Sequence, residues 1–139
     1  MHLLDIGMLR HLGIEIYDET RLQLSFTPQI ANHLETMHAG ALYTLAEAQS
    51  GYFLQQCFPE HTSDVVPILR EGSIKYLRMT HTTVTAYAYT SEASLQTFIE
   101  TFKAKGRAKI GVAVEVKDDA GNLCAKGRFD WFVSTKSRF

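Results

Sequence analysis

Cysteine is nearly absent from this 139-residue chain: Cys57 and Cys124 are the only two. That excludes a disulfide scaffold and leaves two reduced thiols of a cytoplasmic protein as the expectation. Proline is scarce as well, three in all, and the glycines are scattered. No Pro-, Gly- or Ser-rich linker divides the chain, and its length is short for two domains, so residues 1–139 are expected to form one. Net charge is also missing: 14 Lys+Arg against 15 Asp+Glu leave −1. With no global positive field, neither nucleic acid nor an anionic membrane is an expected partner. Met1 to Arg10 lacks a basic region followed by a long apolar run, so no secretory signal is expected.

What is present fits a folded globular protein. Apolar residues make up 45% and charged residues 21%, unlike a disordered chain, which is poorer in the former and carries larger net charge. The charges are unevenly placed. Thr36 to Pro59 is a stretch of 24 residues, and Glu47 is the only Asp, Glu, Lys or Arg among them, where an even spread would put about five. The stretch also holds His38, Thr44, Gln49, Ser50, Gln55 and Gln56, too many polar groups for a membrane span. A helix enclosed by protein is expected over His38–Cys57, roughly 30 Å long. Its small residues, Ala39, Gly40, Ala41, Ala46, Ala48, Ser50 and Gly51, leave no polar face, and Pro59 is its expected stop.

Around that helix the pattern is mostly extended. Leu4, Met8 and Leu12 recur at helical spacing before Gly13. Ile14 and Ile16, then Leu22, Leu24 and Phe26, alternate on either side of Asp18-Glu19-Thr20 and predict two strands around a turn. Val66–Met79 and Thr82–Tyr89 read as strands. Leu95, Phe98, Ile99 and Phe102 return to helical spacing, with Gly106 as the stop. Ile110–Val116 and Leu123–Val133 alternate about the turn Asp118-Asp119-Ala120-Gly121-Asn122. The expected class is α+β, with five or six mostly antiparallel strands around one long helix.

The chemistry available to such a helix follows from its ends and its one charge. The first backbone N–H groups of a helix lack intrahelical partners and carry positive partial charge. The amides of Ala39 and Gly40 are therefore candidates to stabilise a developing oxyanion. Glu47 is the candidate base or nucleophile, and burial is expected to raise its pKa. The two features lie eight residues apart, about 12 Å along the axis. Groups acting on one carbonyl must sit within about 3–3.5 Å of reacting atoms. One straight helix does not satisfy both conditions, but two copies passing each other do. The spacing therefore predicts a site shared across a homodimer, or within a tetramer built from such dimers. No metal or other cofactor is expected, since His33, His61 and His81 lack ligand spacing with Cys or acids.

The stretch Asn32-His33-Leu34-Glu35-Thr36-Met37-His38-Ala39-Gly40, followed by Glu47 nine residues after His38, resembles the signature of hotdog-fold acyl-CoA thioesterases, closest to the phenylacetyl-CoA thioesterase-like branch. Ser73-Ile74-Lys75-Tyr76-Leu77 matches in the strand after the helix. The resemblance implies a hotdog fold and hydrolysis of a fatty or aromatic acyl-CoA at a dimer interface. It implies catalytic positions at Asn32, His38, Ala39, Gly40 and Glu47, and substrate-binding positions at Tyr43, Thr44, Ser73 and Tyr76. Other roles stay open for these residues: His38 as a helix cap, Asn32 as a loop hydrogen-bonder, Tyr43 and Thr44 as packing. Lys75, Arg78, Arg107 and Lys109 are cations available to CoA phosphates, or simply solvated strand faces. The chain departs from the signature at Ala39 and Glu35, where glycines are usual, and at Glu47, where Asp is commoner. Leu69 falls where some relatives carry Ser or Thr. The alternatives are a non-catalytic acyl-binding module and a hydroxyacyl thioester dehydratase, the latter suggested by His33 standing 14 residues before Glu47.

Overall fold

A computed structural model describes residues 2–57 and 64–136. The N-terminal segment forms a short 3-10 turn, Leu3–Asp5, and then helix α1, Gly7–Leu12. Ile6 between them is extended, so the single helix expected there is broken. Gly13 ends α1 in the left-handed region at φ 85°, where a side chain would be strained. Strands β1 (Ile14–Ile16) and β2 (Leu22–Leu24) follow, β2 stopping before Phe26. Helix α2 spans Ala39–Cys57. His38 thus stands just outside it, and the expected stop at Pro59 lies outside the described residues.

The remaining elements are β3 (Val65–Tyr76), β4 (Val84–Tyr89), α3 (Glu92–Lys105), β5 (Arg107–Asp118) and β6 (Leu123–Thr135). β3 ends short of Met79 because its pairing with β6 closes there: the N–H groups of Leu77 and Arg78 both donate to the Cys124 carbonyl, at 2.8 and 3.2 Å. α3 has well-formed ends. Ser91 accepts the Ser94 N–H, and Gly106 at φ 72° returns its own N–H to Phe102. Glu92 in its first turn and Lys103 and Lys105 in its last match the helix dipole.

The six strands form one antiparallel sheet in the order β1-β2-β4-β5-β6-β3. Its inner face carries Leu22, Leu24, Val84, Ala86, Val112, Val114, Val116, Phe129 and Val133, all essentially without solvent contact, and they pack with Leu42, Leu45 and Ala46 of α2. The strand alternation seen in the sequence is this inside–outside alternation. α2 is tied in by buried polar bonds as well. Gln49 accepts the Leu22 N–H at 2.8 Å and donates to the Thr20 carbonyl at 2.8 Å. The indole N–H of Trp131 donates to Ser50 at 2.9 Å.

Two consequences position the site. β3 is an edge strand of 12 residues paired on one side only, with β6. The tyrosines also orient β3 against α2: Tyr76 reaches Ala39, and the Tyr43 hydroxyl lies over Gly72. β3 therefore runs antiparallel to α2. Its irregularity between Leu69 and Glu71 falls further along, towards the level of Glu47. Bulges of this kind recur beside functional sites.

Candidate active site

The site is built where the loop before α2 meets the helix. An isolated bridge between Ala31 and Met37 closes this loop at its base. The Asn32 side-chain oxygen accepts from the N–H groups of Leu34 (2.9 Å) and Thr36 (3.0 Å), and its amide nitrogen donates to the Thr36 hydroxyl at 2.9 Å. Asn32 thus directs its side-chain oxygen and one amide hydrogen to its own loop. Glu35, at φ 59°, is the one non-glycine residue with positive φ among those described. The departure from glycine seen in the sequence is therefore strained. Its peptide N–H is held by the Asn32 carbonyl at 3.1 Å.

His38 caps α2. Its Nδ1 accepts the Gly40 N–H at 2.8 Å, while its carbonyl accepts from Ala41 and Leu42. Gly40 permits this approach, since a Cβ there would stand 3.1 Å from Nδ1. The two amides proposed for an oxyanion are thus distinguished. Gly40's is occupied by the imidazole, whereas Ala39's N–H has no partner among the described residues and Ala39 is exposed. The Tyr76 hydroxyl donates to the Ala39 carbonyl at 3.0 Å, pinning the first turn to the end of β3. Burial, and then nearby Tyr43, push the Tyr76 phenol's pKa up.

Glu47 lies two turns further along. It is half-buried, and its carboxylate accepts no hydrogen bond among the described residues. Burial raises its pKa, because the charged form loses hydration that no donor replaces. Tyr43, one turn before it, packs edge-on against Phe129 with ring centroids 5.4 Å apart. Thr44 turns its hydroxyl back to the Gly40 carbonyl at 2.9 Å, a local helix bond. Ser73 pairs with Arg128 in the β3–β6 ladder, a register that alternates with the inward Gly72–Phe129 pair. The structure thus gathers His38, Ala39, Gly40, Tyr43, Glu47 and Tyr76 along one side of α2. Asn32 and Thr44 are given to local bonds, and Ser73 is set on the outer face of the sheet. His33 is an exposed loop residue, and His61 lies outside the described residues.

Gly72 is a feature that sequence patterning missed. A Cβ on it would overlap the Tyr43 hydroxyl and come within 2.9 Å of Phe129. A glycine in the interior of a strand was the available signal.

A separate groove of about 340 Å³ opens between α3 and β5, with Thr97, Thr101, Lys109 and Gly111 among its lining. It shares no residue with the Glu47 cluster and contains no acid. Among the described residues no three His, Cys, Asp or Glu gather as metal ligands, and no helix is long and apolar enough to cross a membrane.

Solved structures share this architecture. A Pseudomonas aeruginosa protein of unknown function, described as a probable thioesterase, superposes with a TM-score of 0.81 at 20% identity, over 94% of this chain and 89% of that one. A Chlorobaculum tepidum protein of unknown function gives 0.76 at 23% identity, over 93% and 86%. A Bacillus halodurans protein solved with CoA gives 0.69 at 22% identity, over 91% and 74%. At these identities the likeness shows the fold, and the fold is the hotdog: an antiparallel sheet curled around a long central helix. No curated protein matches the sequence. A family model described as "Domain of unknown function (DUF4442)" matches residues 12–133, so the chain belongs to that family.

Proposed function

We propose that the protein hydrolyses an acyl-CoA thioester at a site shared by two copies of the chain. The observation that carries this reading is the helix itself. Glu47, its one charged residue, is half-buried, unpaired and raised in pKa, and the amide at its N-terminus is exposed and unpaired. Glu47 of one protomer acts as base for water, or attacks as nucleophile, while the Ala39 N–H of the other holds the thioester oxygen. With Glu47 as base, water loses a proton to the carboxylate and its oxygen bonds to the acyl carbon. The carbon–sulfur bond then breaks, and the leaving sulfur takes a proton, giving acid and CoA thiol.

The partner is a second copy for three reasons. The 12 Å between Glu47 and Ala39 within one helix is too far for one reacting centre. The long edge of β3 is open to strand pairing. Leu34, in the loop before α2, and Leu77 and Met79, just after β3, are exposed apolar side chains suited to cover. The CoA carrier is supported by the Bacillus halodurans neighbour solved with CoA, and the hydrolytic class by the name of the Pseudomonas aeruginosa one.

A specific observation favours a second reading, that of an acyl-binding module. Asn32, through its side-chain oxygen and one amide hydrogen, and the Gly40 amide, two of the expected site groups, are engaged in local bonds. Wild type and Glu47→Ala assayed on short, long and aromatic acyl-CoAs separate the readings. Turnover abolished in Glu47→Ala is expected. Tight binding without turnover in both proteins would establish the module instead, and enoyl product from a 3-hydroxyacyl thioester would establish a dehydratase.

A further inference from the structure

We infer that Tyr43 limits the length of the acyl group, so that the site takes short acyl chains and rejects long ones. The inference rests on the Glu47 reading above and names the substrate class of that same site.

Tyr43, Glu47 and Gly51 are four residues apart and share one side of α2. Glu47 is therefore flanked, one turn before and one turn after, by whatever closes the gap between helix and sheet. Before it, the gap is filled by Tyr43. The ring stands edge-on to fully buried Phe129 at 5.4 Å, and its hydroxyl rests on the α-carbon of Gly72, where no side chain fits. After it, the gap is filled by Trp131. A Cβ on Gly51 would stand 3.3 Å from the indole, and the indole N–H is bonded to Ser50.

An acyl group whose carbonyl is held at Glu47 meets an aromatic wall in either direction along the helix. The two walls differ in what fixes them. Trp131 is buried and hydrogen-bonded. Tyr43 is half-buried, and its hydroxyl makes no hydrogen bond among the described residues, so packing alone holds it. Its replacement opens the slot along β3 without stranding a polar partner. The ring, which carries nearly all of the side chain's volume, is the larger part of that wall.

The test is a straight-chain series from acetyl-CoA to palmitoyl-CoA, with kcat/KM measured for wild type, Tyr43→Phe and Tyr43→Leu. Wild type is expected to gain about fourfold per methylene among the shortest members, as each buries in the slot, and then to fall away. Tyr43→Phe keeps that maximum, and Tyr43→Leu moves it to longer chains by about three carbons, the difference in side-chain reach. Tyr43→Met, which retains more packing, is expected to shift it in the same direction if Tyr43→Leu does not fold. Affinities for non-hydrolysable S-alkyl-CoA thioethers of the same lengths are the second measurement. They read the slot even if no member is hydrolysed, an outcome that would remove the hydrolase reading while leaving the length limit on trial. An unmoved maximum in folded Tyr43→Leu and Tyr43→Met, or a wild type that prefers palmitoyl, overturns the inference.

Discussion

The proposal of a site shared between two chains makes a quantitative prediction that two substitutions suffice to test. Ala39→Pro removes the unpaired N–H at the first position of α2. Proline is favoured at that position, where its fixed φ suits the helix and its missing donor is not needed for helix bonding. The fold is therefore expected to hold, with stability changed by less than about 0.5 kcal/mol, as for a substitution touching none of the usual destabilising features. Loss of one oxyanion donor costs about 2.7–4 kcal/mol of transition-state stabilisation, a fall in kcat of about 10²- to 10³-fold. Glu47→Gln removes the base while preserving shape, with a loss of about 10²- to 10⁴-fold. Each homodimer is then nearly inactive. When equal amounts are unfolded together and refolded, half the dimers are mixed, and each mixed dimer carries one site with an intact Glu47 facing an intact Ala39 amide. Activity should return to about one quarter of wild type. The assay is release of CoA thiol, with differently tagged chains confirming the mixed dimer. Mixed dimers that form without regaining activity would refute a site shared between chains. Full activity in Ala39→Pro would refute the amide as the oxyanion donor.

Three further outcomes are expected. Burial raises the Glu47 pKa, so kcat/KM should climb with pH through a midpoint above the ordinary carboxylate range, and folding stability should weaken as pH rises through the same window because the folded state keeps this proton longer than the unfolded chain. Glu47→Gln should flatten that slope in thermal melts, and an acid limb at the ordinary value would contradict it. Gln49→Leu strands the fully buried Leu22 N–H and sends the exposed Thr20 carbonyl to water, a loss of about 2–4 kcal/mol in urea unfolding at constant m, and a change below about 0.5 kcal/mol would show that these bonds matter little. Glu35→Gly relieves the left-handed strain and should stabilise the fold by about 1 kcal/mol, read as a melting temperature higher by a few degrees, whereas a lower one would show that the side chain is held by contacts worth more than the strain.

The main elements were legible in the residue pattern, and so was the one residue that stands out on the central helix. Alternation in β5 and β6 is a local consequence of a sheet buried on one face, so it could be read directly from Ile110–Val116 and Leu123–Val133. The end of α3 could be read from Gly106 because a cap is satisfied within a few residues of itself. Glu47 stood out because a lone charge in an otherwise uncharged stretch needs no knowledge of neighbours. Tertiary structure alone decided which groups are available and what bounds the site. Asn32 and His38 carry the same side chains whether they serve a substrate or their own backbone, and only their placement shows Asn32 bonded to Leu34 and Thr36, and His38 to Gly40. Only that placement leaves the Ala39 amide open. Gly72 and Tyr43 are 29 residues apart in sequence and meet because β3 crosses α2. No periodicity records such a meeting: it depends on how an edge strand, set by five pairings across a sheet, lies against a helix.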